Sequence, residues 1–323
     1  MSSGLFAQLG LAAETEYGTY VAPTRFLPFD SEDLKLAIAR DEMEGSLGES
    51  TTTLRSDRWL AGKRNVAGDI NLKVMTHGFG LLFQHMLGTA VITTPGGATV
   101  TREHTHTLGS LFPRMLTVQV GRPGTAGVVH PFSYLGCKVA NWELSNSLEG
   151  FLELALTLDG RDESTAHALA ATSYPTGNFP LHWAGGAITV AGAAFPVREI
   201  TISGETGNEP DRFNIGPPLK TQPLQESHVA ITGSLVADFT DLTAYNRIIS
   251  GATTSLVATW TGPLIETTHF ARVVVTMPVC RFDGETPTVE GPARLTQNLS
   301  FKALNDGTQQ PITILYATTD TAS

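Results

Sequence analysis

One pattern occurs twice along the chain, and it constrains the fold more than any other feature. Residues 68–74 (GDINLKV) and residues 233–239 (GSLVADF) each begin with glycine and then alternate apolar with polar side chains. Such alternation predicts a strand with one buried face. In the segment that follows each strand, apolar residues recur at spacings of three and four, which predicts a helix at about 76–87 and another at about 240–250. A glycine follows each helix, and the recurrence predicts a duplicated unit.

The segments around these elements recur in the same order. An upstream strand, at 34–38 or 199–203, leads into a long polar, glycine-rich loop at about 40–65 or about 204–227. Loops of that length are usually functional. Chance alternation in a β-rich chain is the alternative, but strand, helix, glycine and loop recur together. The predicted division is a first domain at 1–165, a linker at 166–180 and a second domain at 181–323.

Composition favours a mainly β fold. Hydrophobic residues make up 41% of the chain, whereas charged residues make up only 16%, against roughly 25% in typical proteins. Threonine is abundant, and Thr, Val and Ile suit a pleated surface better than a helix. Together with the repeat, this predicts two tandem β-sandwich or barrel domains, each flanked by one α-helix.

Charge and cysteine content exclude several classes of protein. The net charge is −10, and without a Lys/Arg cluster the chain is a poor candidate for binding DNA through its phosphates. No stretch approaches 18 consecutive apolar residues, and the first residues lack the features of a signal peptide. Two cysteines, Cys137 and Cys280, cannot form a disulfide framework. We expect a soluble protein made in a cytoplasm, with two inert, buried thiols.

The sequence contains no recognisable catalytic motif. Neither a phosphate-binding glycine loop nor a Gly-x-Ser-x-Gly nucleophile motif is present. His104 and His106 are the candidate metal ligands, because residues two apart on a strand point to the same side. The alternative is a polar strand between residues 101 and 107, which we favour. We therefore predict no catalytic site, no cofactor and no metal, and a protein that is not an enzyme.

Two segments indicate a family. Residues 14–28 (ETEYGTYVAPTRFLP) follow a short Gly-Leu segment at 9–12, and residues 134–139 (YLGCKV) lie further along. Both resemble segments of the tail tube proteins of long-tailed, non-contractile bacteriophages. The resemblance implies a β-sandwich or barrel with a flanking helix, and a structural virion protein that polymerises as stacked rings into the tail tube, the channel for genome delivery.

The resemblance also implies an assembly and its partners. Most members have one tube domain and form hexameric rings, so two tandem domains predict a homotrimeric, pseudo-hexameric ring, with a homohexamer as the alternative. The implied partners are the tape measure, tail terminator and distal tail proteins. Phage DNA would pass through an acidic lumen without specific binding. The expected location is the virion tail, assembled in the host cytoplasm, with no membrane insertion and no sheath.

The two long loops are the candidate contacts between stacked rings, since they carry charges of both signs. The alternative for these charges is ordinary solubility. The candidate residues are Asp41, Glu42, Glu44, Glu49, Arg55, Arg58, Lys63, Arg64, Glu205, Glu209, Asp211, Arg212 and Lys220.

Two other functions compete with the tail tube. A carbohydrate-binding β-sandwich or adhesin would need exposed aromatic side chains, for which the candidates are Trp59, Trp142, Trp183 and Trp260. A β-rich hydrolase would need a nucleophile or an acid pair, and no residues can be nominated for either.

Overall fold

Nineteen strands and two α-helices are formed by the residues that the computed structural model describes, which are 3–43, 52–289, 291–292 and 294–323. The predicted mainly β fold with flanking helices is confirmed. The elements from the first part of the chain are β1 (Gln8–Ala13), β2 (Arg25–Phe26), β3 (Ser31–Glu32), β4 (Lys35–Glu42), β5 (Trp59–Lys73), α1 (Gly80–Leu87), β6 (Val91–Thr93), β7 (Arg102–Thr107), β8 (Leu116–Pro123), β9 (Val129–Ser147), β10 (Glu153–Gly160) and β11 (Asp162–Ser164). Those that follow are β12 (Gly186–Val190), β13 (Ala193–Ala194), β14 (Val197–Glu205), β15 (Ala230–Asp238), α2 (Thr243–Ser250), β16 (Thr254–Glu266), β17 (His269–Gly284), β18 (Thr296–Ala303) and β19 (Thr313–Thr318).

Eight strands form one antiparallel sheet that runs through both parts of the chain. Its order is β4–β5–β10–β9–β14–β15–β18–β17. We call it the joint sheet. Over most of this sheet, the side chains on one face are buried in the core and those on the other face are mostly polar. The apolar–polar alternation that follows Gly68 and Gly233 reflects these two faces, because both glycines lie in joint-sheet strands, β5 and β15.

A flanking sheet packs against each end of the joint sheet. The first has the order β2–β1–β8–β9–β11, and the second has the order β13–β12–β16–β17–β19–β7–β6. The long strands β9 and β17 belong to both kinds of sheet. Each passes from one to the other at a buried free cysteine, Cys137 or Cys280. Burial raises the pKa of the Cys280 thiol to about 12, as expected for an inert core residue.

The β6–β7 hairpin belongs by sequence to the first part of the chain, but it completes the second flanking sheet. Strand β7 pairs with β19, with His106 opposite Ile314. The turn before β7 is held by Glu266, whose carboxylate accepts hydrogen bonds from the backbone N–H groups of Thr99, Val100 and Thr101. The two parts of the chain therefore share two sheets.

The helices begin later than predicted. Helix α1 begins at Gly80 rather than at residue 76, because Gly78 has a φ of 92°, which is outside the helical region. The N–H groups of His77 and Gly78 donate to the Asn178 side chain and to the Asp320 carboxylate. Helix α2 begins at Thr243 rather than at residue 240. It ends at Ser250 and is capped by Gly251, whose φ of 64° is a left-handed conformation that favours glycine.

The two predicted loops differ in the structure. Strand β4 extends to Glu42 and β5 begins at Trp59, so the described ends of the first loop are the arms of a β4–β5 hairpin. The ends of β4 and β5 show no apolar–polar alternation in the sequence, because both faces of these strand ends are exposed. The second loop lies between β14 and β15, and we call residues 206–229 the β14–β15 loop. Residues 166–180 form no helix or strand beyond a single bridge at Pro180.

Candidate assembly interface

The pairing of β9 with β14 joins the two parts of the chain within the joint sheet. Seven residue pairs lie opposite each other, from Asn141–Glu205 to Ser147–Glu199. The hydroxyl of Ser203 donates to the Glu143 carboxylate at 3.2 Å across this junction. Without this pairing, β14 would be an edge strand with unpaired N–H and C=O groups. The pairing thus makes one continuous sheet from strands of the two parts of the chain.

A glycine lies opposite a large aromatic residue at the centre of this junction. Gly204 pairs with Trp142, and a Cβ atom at Gly204 would overlap the indole ring. Both residues are buried. The indole therefore lies across the backbone of the neighbouring strand, and this fit specifies the register of β9 against β14.

Two strand edges of the joint sheet have no strand partner among the described residues. Strand β4 pairs with β5 on one side only, and its last six residues, 37–42, are exposed. Beyond Cys280, β17 pairs with β18 on one side, while its other side is open. Open edges of this kind are templates for pairing with another chain.

The polar face of the joint sheet is acidic at its centre. On β10, β9 and β14, the residues that alternate with buried positions carry hydroxyl, amide and methyl groups, together with four carboxylates. Within residues 141–147 of β9, 153–157 of β10 and 199–205 of β14, no Lys or Arg occupies these alternating positions. The carboxylates belong to Glu143, Glu153, Glu199 and Glu205.

Several of the predicted inter-ring residues are paired within the chain. Lys63 binds Asp211 at 3.2 Å, and Arg64 binds Asp162 at 2.6 Å. The Arg64 N–H also donates to the carbonyl of Pro218. The base of the β4–β5 hairpin and the β14–β15 loop therefore lie against each other.

Lys220 is fully buried, so it is not available to a neighbouring ring. Its ammonium group contacts Asp159 and donates to the Asn65 side chain at 2.6 Å. Burial raises the pKa of the Asp159 carboxyl, against the opposing effect of Lys220. The charge thus fastens the β14–β15 loop to the joint sheet.

The other candidates lie at the ends of the same segments. Arg55 binds Asp57 at 2.8 Å, and Arg212 donates to the carbonyl of Gln222. Glu44 and Glu49 lie outside the described residues. The remaining candidates are the exposed Asp41, Glu42 and Glu205 and the partly buried Arg58 and Glu209.

His104 and His106 are buried on the same side of β7, as alternation predicts. His104 contacts the carbonyl of Asp320 at 2.8 Å, and His106 contacts the carbonyl of Thr89 at 3.2 Å. Their neighbours include the rings of Phe83 and Tyr316. No group of three or more His, Cys, Asp or Glu residues suited to a metal occurs within the described part of the chain.

We expect the stability of the chain to fall in mild acid. Burial lowers the pKa of both His85 and His106 to about 4. In the unfolded chain the two histidines become protonated below about pH 6.5, whereas in the folded chain they stay neutral until about pH 4. The free energy of unfolding is therefore highest above about pH 6.5 and decreases as the pH falls towards 4. At pH 5 each histidine lowers the free energy of unfolding by about 2 kcal/mol relative to pH 7.5. Urea unfolding at both pH values measures this loss.

Single variants separate the two histidines. His85→Gln and His106→Gln should each reduce the pH-dependent loss by about 2 kcal/mol. His228→Gln, at an exposed position, is the control and should leave the whole loss in place. An unchanged pH dependence in both buried variants would contradict this assignment.

The two family-like segments meet at a buried carboxylate. Glu14 accepts hydrogen bonds at 2.8 Å from the N–H groups of Gly18 and Gly136, and one at 2.9 Å from the Thr117 hydroxyl. Gly136 has a φ of 64° and belongs to the YLGCKV segment. Burial raises the pKa of Glu14 despite these donors. The spacing of Glu14 and Gly18 is thus explained by a turn in which the Gly18 N–H donates to the Glu14 carboxylate.

Replacing Glu14 with Gln should destabilise the fold by about 2 kcal/mol, because an amide N–H₂ group would face N–H and O–H donors. The measurement is the free energy of unfolding in denaturant. Glu16→Gln, two residues away at an exposed position, is the control and should change it by less than about 0.5 kcal/mol. Equal effects of the two substitutions would contradict the role given to Glu14.

The tryptophans divide into two pairs. Trp142 and Trp260 are buried, and the Trp260 indole N–H donates to Asn146 at 3.0 Å. Trp59 and Trp183 are partly exposed at separate places, on β5 and before β12.

Among the described residues, no helix has the length and apolar character needed to cross a membrane.

Comparison with known proteins identifies one family. The model of the phage tail tube protein family matches residues 4–303, a stretch that contains both copies of the repeated strand and helix. The predicted resemblance to tail tube proteins is confirmed. A search of curated proteins finds no match.

Proposed function

The chain belongs to the phage tail tube protein family, whose members are structural proteins of the virion tail, and from this premise we propose that three copies close into a ring. The rings stack into the tube through which the genome passes. A tail tube protein assembles with itself and with other tail proteins. The finer proposal concerns the number of chains, the strands that face the lumen and the contacts between rings.

The carrying observation is the β9–β14 pairing. It joins two tube-like units edge to edge inside one chain, so one chain supplies two of the six positions in a ring. The open edges of β4 and β17 are then the two ends of the unit, and pairing them between copies satisfies both. Three copies close the ring with approximate sixfold symmetry.

The strand number gives the ring a channel. Eight strands closed on themselves leave room only for side chains. Three joint sheets of eight strands make a barrel of 24 strands. With strands spaced about 4.8 Å apart and tilted by about 35–45°, the barrel is about 45–52 Å wide between backbones. That width leaves an open lumen.

We place the polar face of the joint sheet on the lumen side. The four central glutamates would then line the channel in every copy. Carboxylates repel the phosphates of DNA, so the genome would slide without adhering. The hydroxyl and amide groups between them keep the wall wet without adding positive charge.

Stacking would use the β4–β5 hairpin and the β14–β15 loop. Both carry exposed apolar side chains beside the charged residues, including Trp59 and Leu60 on the hairpin and Ile215 in the loop. An exposed apolar cluster favours burial against another protein surface. Because one ring presents this surface to a different surface of the next, the contact does not close and generates a filament.

Electron microscopy of the purified full-length chain, with and without tail-tip complexes, tests this function. We expect regular tubes with an open lumen. Leu60→Asp and Ile215→Asp should leave rings but prevent tubes, whereas Val91→Asp, on an exposed strand away from these loops, should leave tubes intact. A chain that stays monomeric under all conditions would contradict the proposal. Binding to a glycan array without tubes would favour the adhesin instead.

The tape measure, tail terminator and distal tail proteins are the proposed tail partners. The tube is proposed to have no sheath, and assembly is proposed to occur in the host cytoplasm. The proposed role needs no cofactor and no catalysis.

A further inference from the structure

We propose that ring closure places Leu36 of one copy over Gly284 of the next, and that this pair fixes the register between copies. This inference rests on the proposed ring. It adds the residues that meet at each joint between copies, and it can fail while the ring itself holds.

The register follows from the two halves of the joint sheet. Gly68 of β5 and Gly233 of β15 begin the repeated strands, and they lie opposite Leu158 and Phe301 respectively. Leu36 of β4 lies opposite Val66 of β5, and Gly204 of β14 lies opposite Ile231 of β15. Val66 and Ile231 each precede the repeated glycine by two residues, so Leu36 and Gly204 occupy equivalent positions.

The same comparison, made on the side of β10 and β18, shows that β9 and β17 occupy equivalent positions. Trp142 lies opposite Leu156, and Gly284 lies opposite Leu299. Leu156 and Leu299 in turn lie opposite the equivalent residues Ile70 and Leu235. Gly284 is therefore the equivalent of Trp142. Since Trp142 pairs with Gly204 inside the chain, Gly284 should pair with Leu36 between chains.

The side chains at the two joints are complementary in opposite senses. Inside the chain, the large residue Trp142 is on β9 and the glycine is on β14. Between chains, the glycine is on β17 and the large residue, half-buried Leu36, is on β4. Each joint thus pairs one glycine with one large apolar side chain. A Cβ at Gly284 would lie 3.1 Å from the Asn298 carbonyl oxygen and 3.2 Å from Ile248 on α2, so Leu36 would pack beside the Ile248 side chain.

The neighbouring pairs on the polar face also fit this register. Asp283 falls opposite Ala37, and Glu285 falls opposite Lys35, by the same equivalence that pairs Asn141 with Glu205 and Glu143 with Ser203. Opposite charges directly across two strands are favourable. A shift by one residue would place these side chains on opposite faces of the sheet.

Exchange of the two side chains tests the fit. Gly284→Trp should reduce tube formation at least tenfold, because an indole on β17 and Leu36 on β4 would compete for one space. Leu36→Gly combined with Gly284→Trp recreates the Trp–Gly pair of the internal joint and should recover most of the assembly. Failure of the double variant to assemble better than Gly284→Trp would contradict the pairing, provided that both variants melt as folded proteins.

Cysteine crosslinking tests the register independently of side-chain size. Ala37→Cys with Asp283→Cys should form disulfides between chains in assembled tubes, since directly opposite residues of this kind lie within disulfide range. Leu36→Cys with Asp283→Cys points to opposite faces and should not crosslink. Asn141→Cys with Glu205→Cys is the internal counterpart and should crosslink within one chain.

The outcomes separate the register from the ring. Tubes without crosslinks at the 37/283 pair, but with crosslinks at the internal pair, would overturn the register and leave the tube function standing. The absence of tubes in the unmodified chain would instead contradict the proposed function itself.

Discussion

Leu36→Pro should shift tube formation to much higher protein concentrations while leaving the chain folded. The Asp33 N–H donates to the carbonyl of Asp69 on β5. Hydrogen-bonded pairs alternate along an antiparallel ladder, so the N–H of Leu36 points away from β5. Proline therefore removes a donor from the open edge and none from the chain's own sheet. A buried acceptor left without its donor costs about 1–3 kcal/mol at each joint, so association should weaken about 5- to 150-fold.

Sedimentation of tubes over a range of protein concentrations measures this effect. Leu36→Ala removes most of the same side chain but keeps the N–H, so it separates the loss of packing from the loss of the donor. We expect Leu36→Ala to assemble at a concentration between those of the unmodified chain and the proline variant. Normal tubes from a folded Leu36→Pro chain would show that the β4 edge is not an assembly contact.

Gly204→Ala should destabilise the chain by about 2–3 kcal/mol, as expected for overpacking of a closely fitted core. The added Cβ would overlap the Trp142 indole at the junction of β9 and β14. We expect the melting temperature to fall by about 5–10 °C, measured by calorimetry. Because the junction joins the two parts of the chain, a separate lower transition is expected as well.

Two further variants control this result. Gly96→Ala adds a methyl group where nothing lies within 4 Å, so its stability should stay within about 0.5 kcal/mol. Trp142→Leu should restore part of the stability lost in Gly204→Ala, because the smaller side chain makes room for the methyl group. Equal melting temperatures for Gly204→Ala and Gly96→Ala would contradict the close fit at this junction.

Much of the fold could be predicted because the repeat has a direct physical cause. The alternation after Gly68 and Gly233 reports two strands with one buried face each, and the glycines that follow the helices are observed C-caps. The family-like segments could be found from Glu14 and Gly18, and the structure explains their spacing by one buried carboxylate.

Other features were not predictable because they depend on distant contacts. Nothing local indicates that the β6–β7 hairpin pairs with β19, more than 200 residues away in sequence. Lysine is usually a surface residue, and the burial of Lys220 is explained only by its tertiary partners Asp159 and Asn65. The close fit of Gly204 against Trp142 also could not be predicted, because a glycine in a strand does not reveal what lies across from it.

The number of chains in one ring tests the central claim most directly. Native mass spectrometry of rings released from tubes, supported by the symmetry of tube images, gives this number. The account predicts three chains of 34.4 kDa, or about 103 kDa, with threefold symmetry that approximates sixfold. A ring of six chains with true sixfold symmetry would contradict it.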